Sequence, residues 1–281
     1  MNKTTPYIIM AALLAACISF AQERTIPQDT FYINRYKVVL TASPAQVPST
    51  KTPDGALAGN GDLGITLGGK TDDLCFYIGK NDFWNAYPVY PPGGIASPGG
   101  LNLRIPSLKD ATYLVEQLPG SAELQGLFTK GDTCIKMTAW VAALRNWVII
   151  EVEANKQTKL YPHLWATEGN SSSNSQGKTP VTWVTRSFVS SPSLQWPSHI
   201  AMAMGTPDAQ LSDSQCIMLQ PDRKQWIVVT AYTNHDTEQW KERATKEAHS
   251  LTIEALQQAK KDHRDWWNKF WSESSISISD E

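Results

Sequence analysis

The sequence contains no block of basic residues and no excess of either charge. Its 281 residues include 25 Lys or Arg and 27 Asp or Glu, which gives a formal net charge of −2. Proteins that bind nucleic acid or anionic lipid through their surface carry clusters of Lys and Arg, because phosphates must be neutralised. We therefore predict no nucleic-acid partner.

Cysteine is also scarce, since the whole chain has four. Cys75, Cys134 and Cys216 are far apart and lie in or beside apolar, strand-like segments. No C-x-x-C pair is present, so the spacing fits neither a zinc site nor a disulfide framework, and these three residues can form at most one disulfide. We predict buried free thiols and no metal.

The motifs of common hydrolases and of cofactor enzymes are missing as well. The sequence has no H-x-H, H-E-x-x-H or G-x-S-x-G, the patterns of metal hydrolases and serine esterases. The segment GNGDLG at 59–64 fits the G-x-G-x-x-G dinucleotide fingerprint. The residues after it predict strand, turn and strand, whereas the fingerprint needs a helix there. We predict no cofactor.

The features that are present begin with an export signal. Lys3 precedes an apolar stretch at 7–16 that is too short to span a bilayer, and Ser19 and Ala21 are small residues suited to a cleavage site. The pattern predicts a signal peptide over 1–21 and a protein exported to the periplasm or the medium. An alternative is a lipobox at 14–17 with a lipid on Cys17, which would be the only link to a membrane.

The segment from about residue 30 to 233 predicts short strands separated by turns rich in Gly, Pro, Asn and Asp. No amphipathic helices alternate with these strands, which disfavours a parallel sheet. We predict a mainly β fold, a large antiparallel β-sandwich or supersandwich over 22–234. Two segments, 87–100 and 168–180, are predicted to be loops. The predicted strands are 73–79, 133–142, 146–154, 180–189, 198–205, 215–220 and 225–233.

The pattern becomes helical over 235–281. Asp236 or Thr237 is expected to cap a first helix. A second helix places apolar residues at steps of three and four on one face, which indicates an amphipathic helix. The SSISIS segment at 274–279 then predicts a strand. The residues of that helical face are Thr252, Leu256, Ala259, His263, Trp266, Trp267 and Phe270.

Two segments carry a resemblance to a known architecture. The GNGDLG turn followed by Asn81, Asp82 and Trp84 resembles the start of the amino-terminal sandwich in glycoside hydrolases of the family 95 and family 65 type. The spacing of His263, Trp267 and Trp271 is similar to that of the helix that links this sandwich to its catalytic barrel. The match that we can name is domain-of-unknown-function family 5703, a group of secreted, glycosidase-like proteins of Bacteroidetes.

The resemblance implies that catalysis belongs to an (α/α)6 barrel after the linker helices, and this sequence contains no such barrel. The chain is then the non-catalytic sandwich domain of a secreted glycoside-hydrolase-like protein, which packs on the barrel and shapes its cleft. Whether this chain is itself an enzyme stays open. Residues expected at the domain interface are His263, Trp266, Trp267, Phe270 and Trp271. Residues expected to contact a glycan are Asn60, Asp62, Asn81, Asp82 and Trp84.

Two alternatives remain at this point. One is a free-standing carbohydrate-binding module that holds a glycan near Trp84 or on a loop at 161–165, and the other is a complete small glycosidase. A glycosidase needs two suitably placed carboxyl groups. Glu151 and Glu153 alternate with apolar residues and are predicted to lie on the solvated face of a strand. No acid and base pair is evident.

Overall fold

The computed structural model describes residues 33–45, 54–85, 94–169, 172–189, 196–207, 209, 216–221 and 223–274. These residues form mainly antiparallel strands followed by two helices, so the predicted fold class is confirmed. The strands are β1 (Val38–Leu40), β2 (Leu57–Gly59), β3 (Leu63–Lys70), β4 (Asp73–Lys80), β5 (Trp84–Asn85), β6 (Gly94–Ile95), β7 (Gly99–Arg104), β8 (Thr112–Leu118), β9 (Glu123–Lys130), β10 (Thr133–Val141), β11 (Trp147–Ala154), β12 (Thr158–Ala166), β13 (Ser173–Gly177), β14 (Thr182–Phe188), β15 (Ser198–Gly205), β16 (Ile217–Leu219) and β17 (Gln225–Thr233). The helices are α1 (Trp240–His249) and α2 (Ile253–Glu273).

Two large sheets of described strands enclose the core. The nine-stranded sheet has the order β1-β8-β9-β10-β11-β17-β15-β14-β13, and the six-stranded sheet has the order β16-β12-β7-β4-β3-β2. Alternation along β4 and β9 turns residues such as Phe76 and Phe128 inward, where both are fully buried in one shared cluster. Burial of such a side chain contributes about 1.5–3 kcal/mol.

Strands β11 and β17 are buried on both faces. One face lies in the shared core, and the other presents Trp147, Ile149 and Val228 to α2, where they pack with Leu256 and Ala259. This double burial explains why both strands are nearly continuous apolar runs instead of alternating ones. The two helices therefore cover the middle of the nine-stranded sheet.

The predicted loop at 168–180 is wrong in part, because it contains β13. Ser173–Gly177 is a polar, mostly exposed strand that pairs with β14 at the margin of the nine-stranded sheet. A strand in that position needs backbone hydrogen bonds but buries few side chains, so its sequence carries no hydrophobic alternation. In the other predicted loop, the described residues include β6 and the start of β7.

The first helix begins later than predicted, and the second begins after a capping residue that was not predicted. Helix α1 starts at Trp240, and the Asp236 carboxylate instead accepts a hydrogen bond from the Thr233 backbone N–H at 2.8 Å. Thr252 caps α2, since its hydroxyl accepts from the Ala255 N–H at 3.2 Å. Among the described residues, neither helix is long and apolar enough to cross a bilayer.

Several predictions fall on residues outside the described ranges. They include the signal peptide at 1–21, the lipid site at Cys17 and the strand expected after Ser274. The division into 1–21, 22–234 and 235–281 also stays a prediction.

Candidate functional site

The five residues predicted to contact a glycan lie together around the buried side chain of Lys80. That side chain is only 1% exposed, and its Nζ lies 2.6 Å from Asp62, 2.9 Å from Asp82 and 3.3 Å from Asp236. Burial alone would lower the pKa of Lys80, but the hydrogen bonds to Asp62 and Asp82 and the charge of Asp236 raise it overall. The amine is therefore a fixed cation that binds three carboxylates.

The remaining polar groups of this cluster are also bound within the protein. The Asn60 side chain accepts hydrogen bonds from the N–H groups of Asp62 and Leu63, and it donates to the carbonyl of Ala142 at 2.9 Å. Gly61 between them has φ +91°, which only glycine adopts readily. The cluster thus closes the turn before β3 and ties that turn to the end of β10.

Asn81 and Trp84 complete the cluster at its surface. Asn81 donates to the Gly61 carbonyl at 3.1 Å, and the Trp84 indole N–H donates to the Asn81 carbonyl at 2.7 Å. Asp82 accepts from the Thr233 hydroxyl at 2.7 Å. Of the five predicted residues, Trp84 offers the largest apolar surface, with 39% of the residue exposed. A glycan contact at this site stays a prediction.

The residues predicted at a domain interface form a continuous aromatic array along α2. His263 is the inner end of the array, 1% exposed and 4.8 Å from the Trp140 ring. Its Nε2 donates to the Ser121 carbonyl at 2.7 Å, which leaves Nδ1 as the unprotonated nitrogen. Burial lowers the pKa of His263 to about 4, so the ring is neutral at pH 7.

The outer part of this array remains accessible to solvent. Trp266 and Phe270 are each 37% exposed, with ring centroids 5.6 Å apart and planes 7° apart. Trp267 contacts both rings edge-on. Trp271 is fixed to the sandwich, because its indole N–H donates to the Pro119 carbonyl at 3.0 Å. We call Trp266, Trp267, Phe270 and Trp271 the aromatic face of α2.

The prediction that Glu151 is solvated is wrong. Its side chain is 6% exposed because α2 covers this face of β11, and its carboxylate binds Lys260 at 2.8 Å. Glu123, 2% exposed, also binds Lys260, at 3.1 Å. Burial would raise the pKa of both carboxyl groups, but the nearby cations outweigh it and lower both values. Glu153, in contrast, is 43% exposed as predicted.

A cavity of about 720 Å³ lies elsewhere, on the outer face of the six-stranded sheet, and it includes part of the segment 161–165. That segment belongs to β12 and is not the predicted loop. Most of the lining residues were missed, although the alternation in Asn102-Leu103-Arg104 indicates an outward polar row. The cavity is lined by Asp73, Asn102, Arg104, Tyr161, Pro162, His163, Leu164, Gln176, Gly177, Lys178, Thr182, Trp183 and Val184.

The described residues show neither a disulfide nor a metal centre. Cys75, Cys134 and Cys216 form no disulfide with one another, the first two are buried, and burial raises the pKa of Cys75 to about 11. Within the described ranges, no three His, Cys, Asp or Glu side chains are grouped so that they could hold a metal ion.

The solved structures to which this chain is similar include the following two. One is "Putative kojibiose phosphorylase from human microbiome", with a TM-score of 0.49 and 13% identity over 85% of this chain and 38% of that chain. The other is a bacterial glucoamylase complexed with acarbose, with a TM-score of 0.45 and 11% identity over 83% of this chain and 40% of that chain. The chain thus spans about two fifths of each of these structures. No protein-family model and no curated protein matches it.

Proposed function

We propose that this chain is the non-catalytic sandwich domain of a secreted, glycoside-hydrolase-like protein, and that it packs against an (α/α)6 catalytic barrel. The observation that carries the proposal is the aromatic face of α2. Trp271 anchors this face to the sandwich through the Pro119 carbonyl, whereas Trp266 and Phe270 present stacked rings to solvent. The resemblance of the 59–84 and 263–271 segments to glycosidase sandwich and linker residues supports the same assignment.

The aromatic face has the properties of a surface that is buried in a larger protein. An aromatic side chain can bury roughly 150–250 Å² and contributes strongly at interfaces. Trp266 and Phe270 are already fixed against each other and against Trp267, so docking would immobilise few additional rotamers. A partner with a flat apolar surface, such as the outer helices of a barrel, fits this geometry.

The carboxylates that are bound to lysines support a non-catalytic role. A glycosidase needs one carboxyl group that is protonated near neutral pH, hence one with a raised pKa. Glu123 and Glu151 have lowered pKa values beside Lys260, and Asp62 and Asp82 are bound to Lys80. These four groups are ionic partners of lysines and lack the environment of a catalytic acid.

Two assays on the 281-residue chain test the proposal. We expect no hydrolysis across a panel of aryl glycosides, and we expect binding of the dye ANS that falls in the Trp266→Ser/Phe270→Ser double variant. Trp196→Ser is the matched control, since Trp196 is 50% exposed at another site. Hydrolysis that disappears on substitution of one carboxylate would contradict the non-catalytic role. Dye binding equal in the double variant and the wild type would contradict the docking surface.

A free-standing carbohydrate-binding module is the second candidate. It is favoured by the cavity on the six-stranded sheet, where aromatic and polar side chains lie together as sugar recognition requires. A glycan array probed with the chain tests this function, and silence across plant and host glycans would contradict it.

A further inference from the structure

The cavity on the outer face of the six-stranded sheet is assembled from two parts of the fold. Neighbouring strands β4, β7 and β12 provide one wall, and the β13–β14 hairpin of the nine-stranded sheet provides the other. Its volume of about 720 Å³ lies within the roughly 300–1,000 Å³ that is usual for small-molecule sites. One or two sugar units of a glycan chain would fit in it.

Strand register places the polar and aromatic side chains in rows. Asp73 pairs with Arg104, which pairs with Tyr161, and the next outward row contains Asn102 opposite His163. Since residues two apart on a strand share a face, these side chains all point away from the core. The site is thus built on rigid strands of the sheet.

The floor of the cavity is locked by hydrogen bonds. The Asn102 amide donates to Asp73 at 3.0 Å and accepts from the Trp165 indole N–H at 2.7 Å. Gly100 makes room for this indole, because a Cβ there would lie 2.7 Å from the Trp165 ring. Asp73, the only acidic residue of the lining, therefore already has a partner.

The rim, in contrast, carries donors that are available to a ligand. Within the described ranges, the side chains of Arg104, His163, Gln176 and Lys178 form no hydrogen bond or ion pair with other residues. The Arg104 guanidinium lies over the Tyr161 ring at 4.4 Å. This contact holds the guanidinium in place, and the N–H groups at the edge of the guanidinium plane remain available. The cations Arg104 and Lys178 and the anion Asp73 give the lining a formal charge of +1, whereas the whole chain has a formal net charge of −2.

We infer that this cavity binds an acidic sugar, a pyranose with a carboxylate or sulfate group. Arg104 and Lys178 receive the anionic group, since a guanidinium can bind two oxygens of a carboxylate or sulfate side by side and an ammonium adds charge. Tyr161 supplies ring surface for the apolar face of the sugar, and His163 and Gln176 reach its hydroxyls. The inference deepens the carbohydrate-binding candidate and is independent of docking at α2.

Isothermal titration calorimetry with three probes tests the inference. Trigalacturonic acid and a heparin-derived tetrasaccharide represent carboxylated and sulfated sugars, and maltotriose is the neutral comparison. We expect one or both acidic probes to bind and maltotriose to bind at least tenfold more weakly. Equal binding of maltotriose, or no binding of either acidic probe, overturns the inference.

Variants locate the binding in this cavity. Arg104→Gln should weaken binding of the acidic probe by roughly tenfold or more, as expected for a lost hydrogen bond to a charged group. Lys178→Gln should weaken it less, because an ammonium is a mobile point charge. Arg223→Gln is the matched control, an exposed arginine outside the lining. Unchanged affinity in Arg104→Gln would place the binding elsewhere and overturn the inference.

A further variant separates this inference from the barrel-docking proposal. Trp266→Ser/Phe270→Ser should leave affinity for the acidic probe unchanged, because neither residue lines the cavity. Loss of affinity in this double variant would place the sugar on the aromatic face of α2 and overturn the assignment to the cavity.

Discussion

The ammonium group of Lys80 joins parts of the chain that are far apart in sequence. It binds Asp62 before β3, Asp82 after β4 and Asp236 before α1. The three carboxylates remain 21–34% exposed, so water still solvates them in part while the lysine is fully buried. Removing the lysine would leave three neighbouring negative charges with no central cation.

Lys80→Met should lower the free energy of unfolding by about 3 kcal/mol, the usual cost of breaking a buried ion pair from one side. Urea unfolding followed by circular dichroism measures the change. Lys156→Met is the control, because the Lys156–Asp132 pair is exposed and should contribute nothing measurable. An equal loss of unfolding free energy in the two variants would show that the buried ion pairs of Lys80 contribute no more to stability than the exposed pair of Lys156.

His263 should make stability fall as the pH drops from 6.5 towards 4. The unfolded chain binds this proton near pH 6.5 and the folded chain only near pH 4, so acid favours the unfolded state between these values. The full effect is about 3 kcal/mol. The lowered pKa values of Glu123 and Glu151 make stability depend on pH only below about pH 4.5, which is outside most of this window.

Urea unfolding of His263→Gln between pH 4.5 and 6.5 tests this effect. The glutamine amide can still donate to the Ser121 carbonyl, so the pH slope should decrease even where packing is lost. Part of the slope should remain, since burial also lowers the pKa of His199. An unchanged pH slope in His263→Gln would contradict the assignment.

Helix α2 has two different faces along its length. Its first half packs Leu256 and Ala259 against Trp226 and Val228, and Lys260 pairs with two buried glutamates. Its second half turns the aromatic face partly to solvent. The sandwich therefore holds the helix mainly through its first half.

Leu256→Ala should destabilise the protein by about 3 kcal/mol, because it removes a fully buried side chain between α2 and the nine-stranded sheet. Gln257→Ala lies one position away on the exposed side and should change stability by less than about 0.5 kcal/mol. Thermal unfolding of both variants measures the difference. Similar midpoints for the two would mean that α2 contributes little to folding.

The sequence predicted those elements whose pattern is local. Alternating or continuous apolar runs identified β4, β10, β11 and β14 to β17, and the steps of three and four identified α2. Strands β7 to β9 and β12 and the Thr252 cap were not predicted. Burial of Glu151 was not predictable, since it depends on Lys260 of a helix more than a hundred residues later. Strand β13 was missed because its pairing with β14, and not its own sequence pattern, stabilises it. The row of Asp73, Arg104 and Tyr161 was not predictable either, because these residues are brought together only by the register of three strands.

The molecule as a whole is stabilised by its core and not by cross-links between the described cysteines. Unfolding by urea should therefore have the same midpoint with and without dithiothreitol, because Cys75, Cys134 and Cys216 form no disulfide with one another. Cys75 should react slowly with thiol reagents in the native chain, given its burial and its pKa of about 11. A midpoint that falls in reductant would reveal a disulfide and contradict this prediction.

The position of β17 affects the order of events during synthesis. It lies between β11 and β15, although β12 to β16 separate β11 from β17 in the chain. Until residues 225–233 leave the ribosome, β11 and β15 each have an unpaired apolar edge, and the centre of the nine-stranded sheet cannot close. Nascent chains are thus exposed to intermolecular strand pairing until a late stage, and a lower expression level should raise the soluble yield, because pairing between chains depends on their concentration.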